Sequence, residues 1–208
     1  MKLQKNMSII AGSISVIALS ISIIYNCCCD SEYISNLFMG VFSSAILVCA
    51  TSILTYFNER NKAIYSLYEG CTTFKQTFTK LIRPGNQIDF NLMKDIFSII
   101  IESYKKDIYY PVCALNNSML KNTKLNQLVL NIWEQSRHLY LLVLDDNEKL
   151  HSYLLNDITL DELKQYKFQV VSNESVEYMT KLNDAQEELA HYMNYYNLKN
   201  RREQDEAE

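Results

Sequence analysis

Two Glu-x-x-His pairs contain the residues best placed for chemistry: Glu148 with His151, and Glu188 with His191. On a helix, residues three positions apart share a face, so each pair can present a carboxylate and an imidazole to one metal ion. Ferritin-like bundles build a di-metal site from two such pairs and one Glu from each of two other helices. Further glutamates occur in the chain order that this site requires, namely Glu102 and either Glu162 or Glu177.

Other features of the sequence argue against a catalytic centre. The chain holds only 3 histidines, and Glu148 follows Asp145 and Asp146 rather than lying in the middle of a long core helix. No glycine-rich phosphate loop, Gly-x-Ser-x-Gly or His-Glu-x-x-His motif is present, and no two Cys-x-x-Cys pairs could bind zinc. The sequence therefore predicts a non-enzymatic protein without a cofactor, and a membrane-bound di-metal oxidoreductase is the remote alternative.

Two long stretches without charge dominate the first quarter of the chain. No charged residue lies between Lys5 and Asp30, and none lies between Glu32 and Glu59. Each stretch exceeds the roughly 20 residues that a helix needs to cross a hydrocarbon core. The sequence therefore predicts a transmembrane hairpin over residues 1–56, with spans at about 7–25 and 37–56 and membrane lipid as a direct partner.

Basic residues flank the outer ends of this predicted hairpin. Lys2 and Lys5 precede the first span, Arg60 and Lys62 follow the second, and the linker over residues 26–36 has no basic residue. The positive-inside rule then places both termini on the cytoplasmic side of the membrane, which we expect to be a bacterial inner membrane. A cleaved signal peptide is the alternative for the first span, but no Ala-x-Ala-like cleavage site follows it.

Small residues recur along each span, which favours close approach of helices and hydrogen bonds from hydroxyls. We predict that this set packs membrane helices together, either within one hairpin or between several hairpins whose hydroxyls line a polar path: Ser8, Gly12, Ser15, Ser22, Gly40, Ser44, Thr51 and Thr55. Neither span contains a charged residue or a histidine, which argues against an ion-coupled transporter. Cys27, Cys28 and Cys29 at the outer end of the first span could form an intermolecular disulfide or serve as small apolar residues.

Residues 57–198 are predicted to form a cytoplasmic helical bundle, followed by a charged, disordered tail over residues 199–208. Residues 57–208 contain 18 Lys+Arg against 22 Asp+Glu, which argues against direct binding of nucleic acid. The first helix of the bundle continues out of the second span and carries apolar residues at heptad spacing. These residues form a predicted coiled-coil-like oligomerisation seam: Ile64, Leu67, Cys71, Phe74, Phe78 and Leu81.

Five further helices complete the expected all-α fold. One runs from about 89 to 109 and is ended by Pro111, and another runs from about 123 to 144. The sequence Asp145-Asp146-Asn147 is predicted to stop that helix and to cap a short one reaching Leu155. Thr159 and Glu162 form a capping box for a helix to about residue 172. The last helix then runs to about residue 197.

This architecture resembles the small two-span effectors of bacterial anti-phage systems, meaning abortive-infection systems and those attached to retrons. The resemblance covers the hairpin from Met7 to Tyr56 and the helical domain after it, and no residue roles are carried over because no family motif supports it. It implies an inner-membrane effector whose cytoplasmic domain is controlled by a protein partner and whose spans oligomerise to perturb the membrane. The alternative is a membrane-anchored scaffold or interaction protein.

Overall fold

The computed structural model describes residues 2–28, 32–82, 90–116 and 123–205, and every secondary-structure element in these ranges is helical. The prediction of an all-α fold is therefore confirmed for the described residues. The chain divides into two compact units, Met1–Ala63 and Ile64–Glu208. The boundary between residues 63 and 64 lies within a helix. We expected the first domain to end earlier, at residue 56.

The first unit contains α1 (Lys2–Cys28) and the first part of α2 (Glu32–Ile82). The two helices are antiparallel, because Ser22 contacts Ser35 near one end while Gln4 contacts Glu59 near the other. Both helices are long and apolar enough to cross a membrane. The prediction of two such helices is therefore confirmed by length and composition.

The second part of α2, residues 64–82, belongs to the second unit. The helix runs for 51 residues without interruption, as expected for a helix that continues beyond the second apolar stretch. No proline occurs in its sequence, so the chain of backbone hydrogen bonds has no forced break.

A helical run follows that is longer than the sequence predicted. It consists of α3 (Phe90–Ser103), a π-helical segment (Tyr104–Tyr109) and α4 (Tyr110–Asn116). The prediction that Pro111 ends this helix is wrong. Pro111 lies in the first turn of α4, where a residue without a backbone N–H is tolerated, and its side chain is buried.

The next helix, α5 (Thr123–Leu154), continues through Asp145-Asp146-Asn147, so the predicted stop at these residues is wrong. The Asp146 carboxylate accepts hydrogen bonds from distant backbone groups and does not cap a new helix. The helix instead ends beside Asn156, whose φ of 64° is left-handed. The N–H of Asp157 donates to the carbonyl of Ser152, the hydrogen bond of a Schellman C-cap.

The chain then forms α6 (Leu160–Gln165), a 3₁₀ turn (Gln169–Val171) and α7 (Asn173–Asp205). The predicted capping box of Thr159 and Glu162 is confirmed, with both reciprocal hydrogen bonds present. Residues 199–205, where we expected the start of a charged, disordered tail, have a helical backbone and belong to α7. Residues 206–208 lie outside the described residues.

Candidate functional site

The outer surface of the first unit is apolar. In the most apolar window of α1 only 22% of the residues are buried, and in that of α2 only 6% are buried. A core helix of a soluble protein shows the opposite pattern, because its apolar side chains pack against neighbours. Exposed aliphatic side chains instead suit contact with hydrocarbon, and the most exposed of them include Val16, Ile17, Leu47 and Leu54.

Small and polar side chains of α1 face α2. Ala11, Ser15, Ala18 and Ser22 are buried, and they recur every three or four residues along one side of the helix. The Ser22 hydroxyl lies 3.0 Å from the Ser35 hydroxyl and 3.1 Å from the Ser35 carbonyl. Small side chains bring two helices close, and the serine pair satisfies polar groups that lipid cannot.

Ser8 and Gly12 also lie on this contact. The Cys49 thiol donates to the Ser8 carbonyl at 3.4 Å, and a Cβ added at Gly12 lies 3.8 Å from the Cys49 sulfur. The four small residues predicted on the first span, namely Ser8, Gly12, Ser15 and Ser22, therefore all lie on the side of α1 nearest α2.

The predicted small residues of α2 have a different position. Gly40, Ser44 and Thr51 are exposed, and no atom lies within 4 Å of a Cβ added at Gly40. The Ser44 hydroxyl donates to the Gly40 carbonyl at 3.0 Å, and the Thr51 hydroxyl donates to the Leu47 carbonyl at 2.9 Å. These residues do not pack against α1, and their hydroxyl donors are satisfied within α2. The exposed face of α2 that carries Gly40, Ser44 and Thr51 is called the small-residue face below.

Gly40 and Ser44 also line a groove on the flank of the α1–α2 pair. Its volume is about 600 Å³, and its walls are almost wholly apolar. The α1 wall includes Met7, Ile10 and Ile14. The groove is open to the surroundings, so it is a surface for contact with another apolar group and not an enclosed chamber.

The candidate metal-binding residues do not form a metal site among the described residues. Glu102, Glu148, His151, Glu188 and His191 are all exposed. Across residues 2–28, 32–82, 90–116 and 123–205, no group of three or more His, Cys, Asp or Glu side chains could hold a metal ion. The Glu162 carboxylate bonds to Thr159, and the Glu177 carboxylate accepts from Lys181.

The heptad seam of α2 is buried within the chain itself. Leu67, Cys71, Phe74 and Phe78 have no exposed surface, and 4% of Ile64 is exposed; Leu81 is half-buried. In this structure the predicted oligomerisation seam is therefore covered by other helices of the same chain. Heptad spacing shows that one helix face is buried, but it does not show whether the partner belongs to the same chain.

One side of α2 lies against the π-helical segment. The rings of Phe74 and Tyr104 are 6.2 Å apart, and Tyr104 stacks on Tyr140 of α5 at 4.2 Å. A Cβ added at Gly70 lies only 2.1 Å from the carbonyl oxygen of Asp107. Only glycine therefore permits this approach of the two backbones.

The other side of α2 is joined to α7 by polar side chains. The Gln186 amide donates to the carbonyl of Tyr68 at 2.8 Å and to the hydroxyl of Thr72 at 2.7 Å. The Lys75 ammonium donates to the Asn183 side chain. Burial raises the pKa of Cys71 to about 12 and lowers the pKa of Lys75, with each group's charge acting in the opposite direction. The Cys71 thiol is therefore protonated and unreactive.

Asp146 connects α5 to the segment that leads into α7. Its carboxylate is fully buried and accepts from the backbone N–H groups of Gln169 and Val170, each at 2.8 Å, and from the Tyr166 hydroxyl at 2.9 Å. Burial raises the pKa of the Asp146 carboxyl, although these three donors act against the increase. The arrangement fixes the 3₁₀ turn on α5, and Ser175 completes it by donating to the Val170 carbonyl at 2.7 Å.

Cys27 is exposed at the end of α1, while the Cys28 side chain and Cys29 lie outside the described residues. Sequence reasoning missed Gly70 and Gln186. A lone glycine inside a helical pattern is a signal for close backbone approach, so Gly70 could have been found. Nothing in the sequence distinguishes Gln186 from other polar helix residues, because its role depends on which helix lies opposite.

Comparison with protein-family models, with curated proteins and with solved structures finds no match to this chain.

Proposed function

We propose that this chain is a non-enzymatic effector of the bacterial inner membrane, with both termini in the cytoplasm. In this proposal α1 and residues 37–56 of α2 cross the membrane as a hairpin, and the second unit is a cytoplasmic helical bundle controlled by a protein partner. The hairpins of several copies associate and permeabilise the membrane, in anti-phage defence. The proposal is supported chiefly by the inverted character of the first unit, whose large aliphatic side chains are exposed while small side chains fill the contact between its two helices.

The small-residue face supports the association of copies. Gly40 and Ser44 are one turn apart on a face that α1 leaves uncovered, and small residues let a second backbone approach closely in lipid. The hydroxyls along this face bond to carbonyls of their own helix. A satisfied hydroxyl tolerates lipid, so a hairpin can exist alone before it associates.

The test is expression of the full chain in bacteria with a voltage-sensitive dye as the readout of membrane potential. Wild type is expected to depolarise the cells, and Gly40→Leu is expected to abolish depolarisation by blocking contact between copies. The matched control is Ala50→Leu, a similar enlargement at another exposed position of α2. We expect Ala50→Leu to depolarise like wild type.

A second variant, Ser15→Leu, tests the formation of the hairpin separately from the association of copies. Ser15 is 5% exposed between α1 and α2, so a leucine there disrupts the hairpin, whereas a Cβ added at Gly40 has no atom within 4 Å beyond its own helix backbone. A membrane-anchored scaffold, the alternative function, gives a different result: cells keep their potential when they express wild type and also when they express Gly70→Ala, whose added Cβ would clash with the Asp107 carbonyl oxygen and loosen the bundle. Equal activity of Gly40→Leu and wild type would exclude the small-residue face as the contact between copies.

A further inference from the structure

The seam of α2 has the spacing of a coiled coil but lies inside the bundle. Ile64, Leu67, Cys71, Phe74 and Phe78 alternate at intervals of three and four residues, which places them at successive a and d positions of a heptad. In a parallel pair of identical helices, each a or d residue meets its counterpart in the other copy. The surface that the bundle buries is therefore one that a second copy could also bury.

Gly70 permits the packing of the bundle but lowers the stability of α2 as an independent helix. Glycine is among the least favourable residues in a helix, and alanine is the most favourable. The bundle nevertheless requires glycine there, because a Cβ lies 2.1 Å from the Asp107 carbonyl oxygen. Position 70 precedes the a position of Cys71 and is therefore a g position, which flanks the seam and commonly carries Glu or Lys in coiled coils, so a side chain is tolerated in the assembled form.

Polar side chains and one close backbone approach join α2 to the groups that cover the seam. Gln186 and Lys75 connect it to α7, and the backbone approach at Gly70 connects it to the π-helical segment. Separation of these elements exposes large apolar side chains to water, and this state persists only if another surface covers them again.

We propose that the bundle is autoinhibitory, because it sequesters an α2 seam that pairs with the same seam of a second copy once α7 and the π-helical segment move away. The parallel orientation of the two helices rests on the proposed membrane function, since both copies enter one membrane from the same side. Pairing of the seams then brings the membrane helices of two copies together. A partner that holds the bundle closed keeps the copies apart, and one that opens it assembles them.

Cys71 provides a native reporter of both steps. The test uses the full chain in bacterial membranes, with every cysteine except Cys71 replaced by serine. The alkylation rate of Cys71 measures opening, and oxidation with copper phenanthroline measures Cys71–Cys71 pairing as a disulfide-linked dimer. We expect Gly70→Ala to raise the alkylation rate about tenfold or more and to produce the dimer, because it weakens the closed state and strengthens the free helix.

The matched control is Ser66→Ala, which also improves helix propensity in α2 but lies at an exposed position. It is expected to leave alkylation and dimer formation unchanged. A second control moves the thiol off the seam by combining Gly70→Ala with Cys71→Ser and Thr73→Cys. This chain is expected to form no dimer, whereas aggregation of unfolded chains would cross-link both thiols equally.

Three results would overturn the autoinhibition proposal. These are alkylation without the dimer, equal cross-linking with and without Gly70→Ala, and an unchanged alkylation rate in Gly70→Ala. Alkaline extraction of the same membranes gives a separate answer on the proposed function. A chain that cross-links at Cys71 but washes off the membrane contradicts the membrane placement and not the pairing of the seams.

Discussion

Replacement of Asp146 by alanine is expected to release the 3₁₀ turn from α5. The change leaves the Val170 N–H, whose residue is 1% exposed, without an acceptor in the protein interior. An orphaned buried N–H costs about 1–3 kcal/mol. The Gln169 N–H and the Tyr166 hydroxyl are nearer to solvent and add less, so the free energy of unfolding should fall by about 2–4 kcal/mol in total.

Hydrogen exchange in the full chain, reconstituted in lipid nanodiscs, measures this loss at the affected amides. A local cost of this size corresponds to exchange about 30-fold or more faster for residues 169 and 170. Asp145→Ala is the matched control, because it removes the same side chain from an exposed neighbouring position of α5. Equal exchange of residues 169–171 in Asp146→Ala, Asp145→Ala and wild type would refute the assignment of Asp146 as the acceptor that holds this turn.

Three further predictions concern the second unit. Because burial raises the folded-state pKa of Asp146 above its ordinary value of 3.8, its contribution to stability is complete below that value and is lost as the pH rises through the folded-state pKa. Chemical denaturation should therefore show that the stability of wild type relative to Asp146→Asn falls as the pH rises above 3.8, and a pH-independent difference would contradict this. Gln186→Ala leaves two acceptors of α2 without their donor, so thermal unfolding should show a loss of about 1–3 kcal/mol, whereas Gln165→Ala at an exposed position of α6 should show none. Thr159→Ala removes the N-cap of α6 and should cost about 1 kcal/mol by the same measurement, while the conservative Thr159→Ser should retain the cap and most of the stability.

The parts of the fold that follow from one-dimensional patterns could be predicted from the sequence. The absence of charge over two long stretches predicts the apolar helices, and the Thr159–Glu162 spacing predicts the capping box that the structure contains. The heptad of α2 predicts which residues are buried. It could not identify the covering elements, because intrachain and interchain partners impose the same spacing on a helix.

The incorrect predictions share a physical cause. Asp146 and Pro111 have local preferences that favour helix ends, but each has a tertiary environment that outweighs the preference. Asp146 bonds to backbone groups more than twenty residues away, and Pro111 lies where a missing N–H costs little. Local propensity could not reveal that Asp146 lies against a distant segment, nor that a π-helical segment precedes Pro111.

The central claim, that the two apolar helices cross the membrane and leave the second unit in the cytoplasm, is tested most directly by the sidedness of single cysteines. In a chain without its native cysteines, Tyr33→Cys places a thiol at the exposed start of α2, and Lys124→Cys places one on the exposed surface of α5. A membrane-impermeant maleimide added to intact cells is expected to label position 33, and to label position 124 only after the inner membrane is permeabilised. Labelling of position 124 in intact cells, or recovery of the chain in the soluble fraction, would contradict the claim.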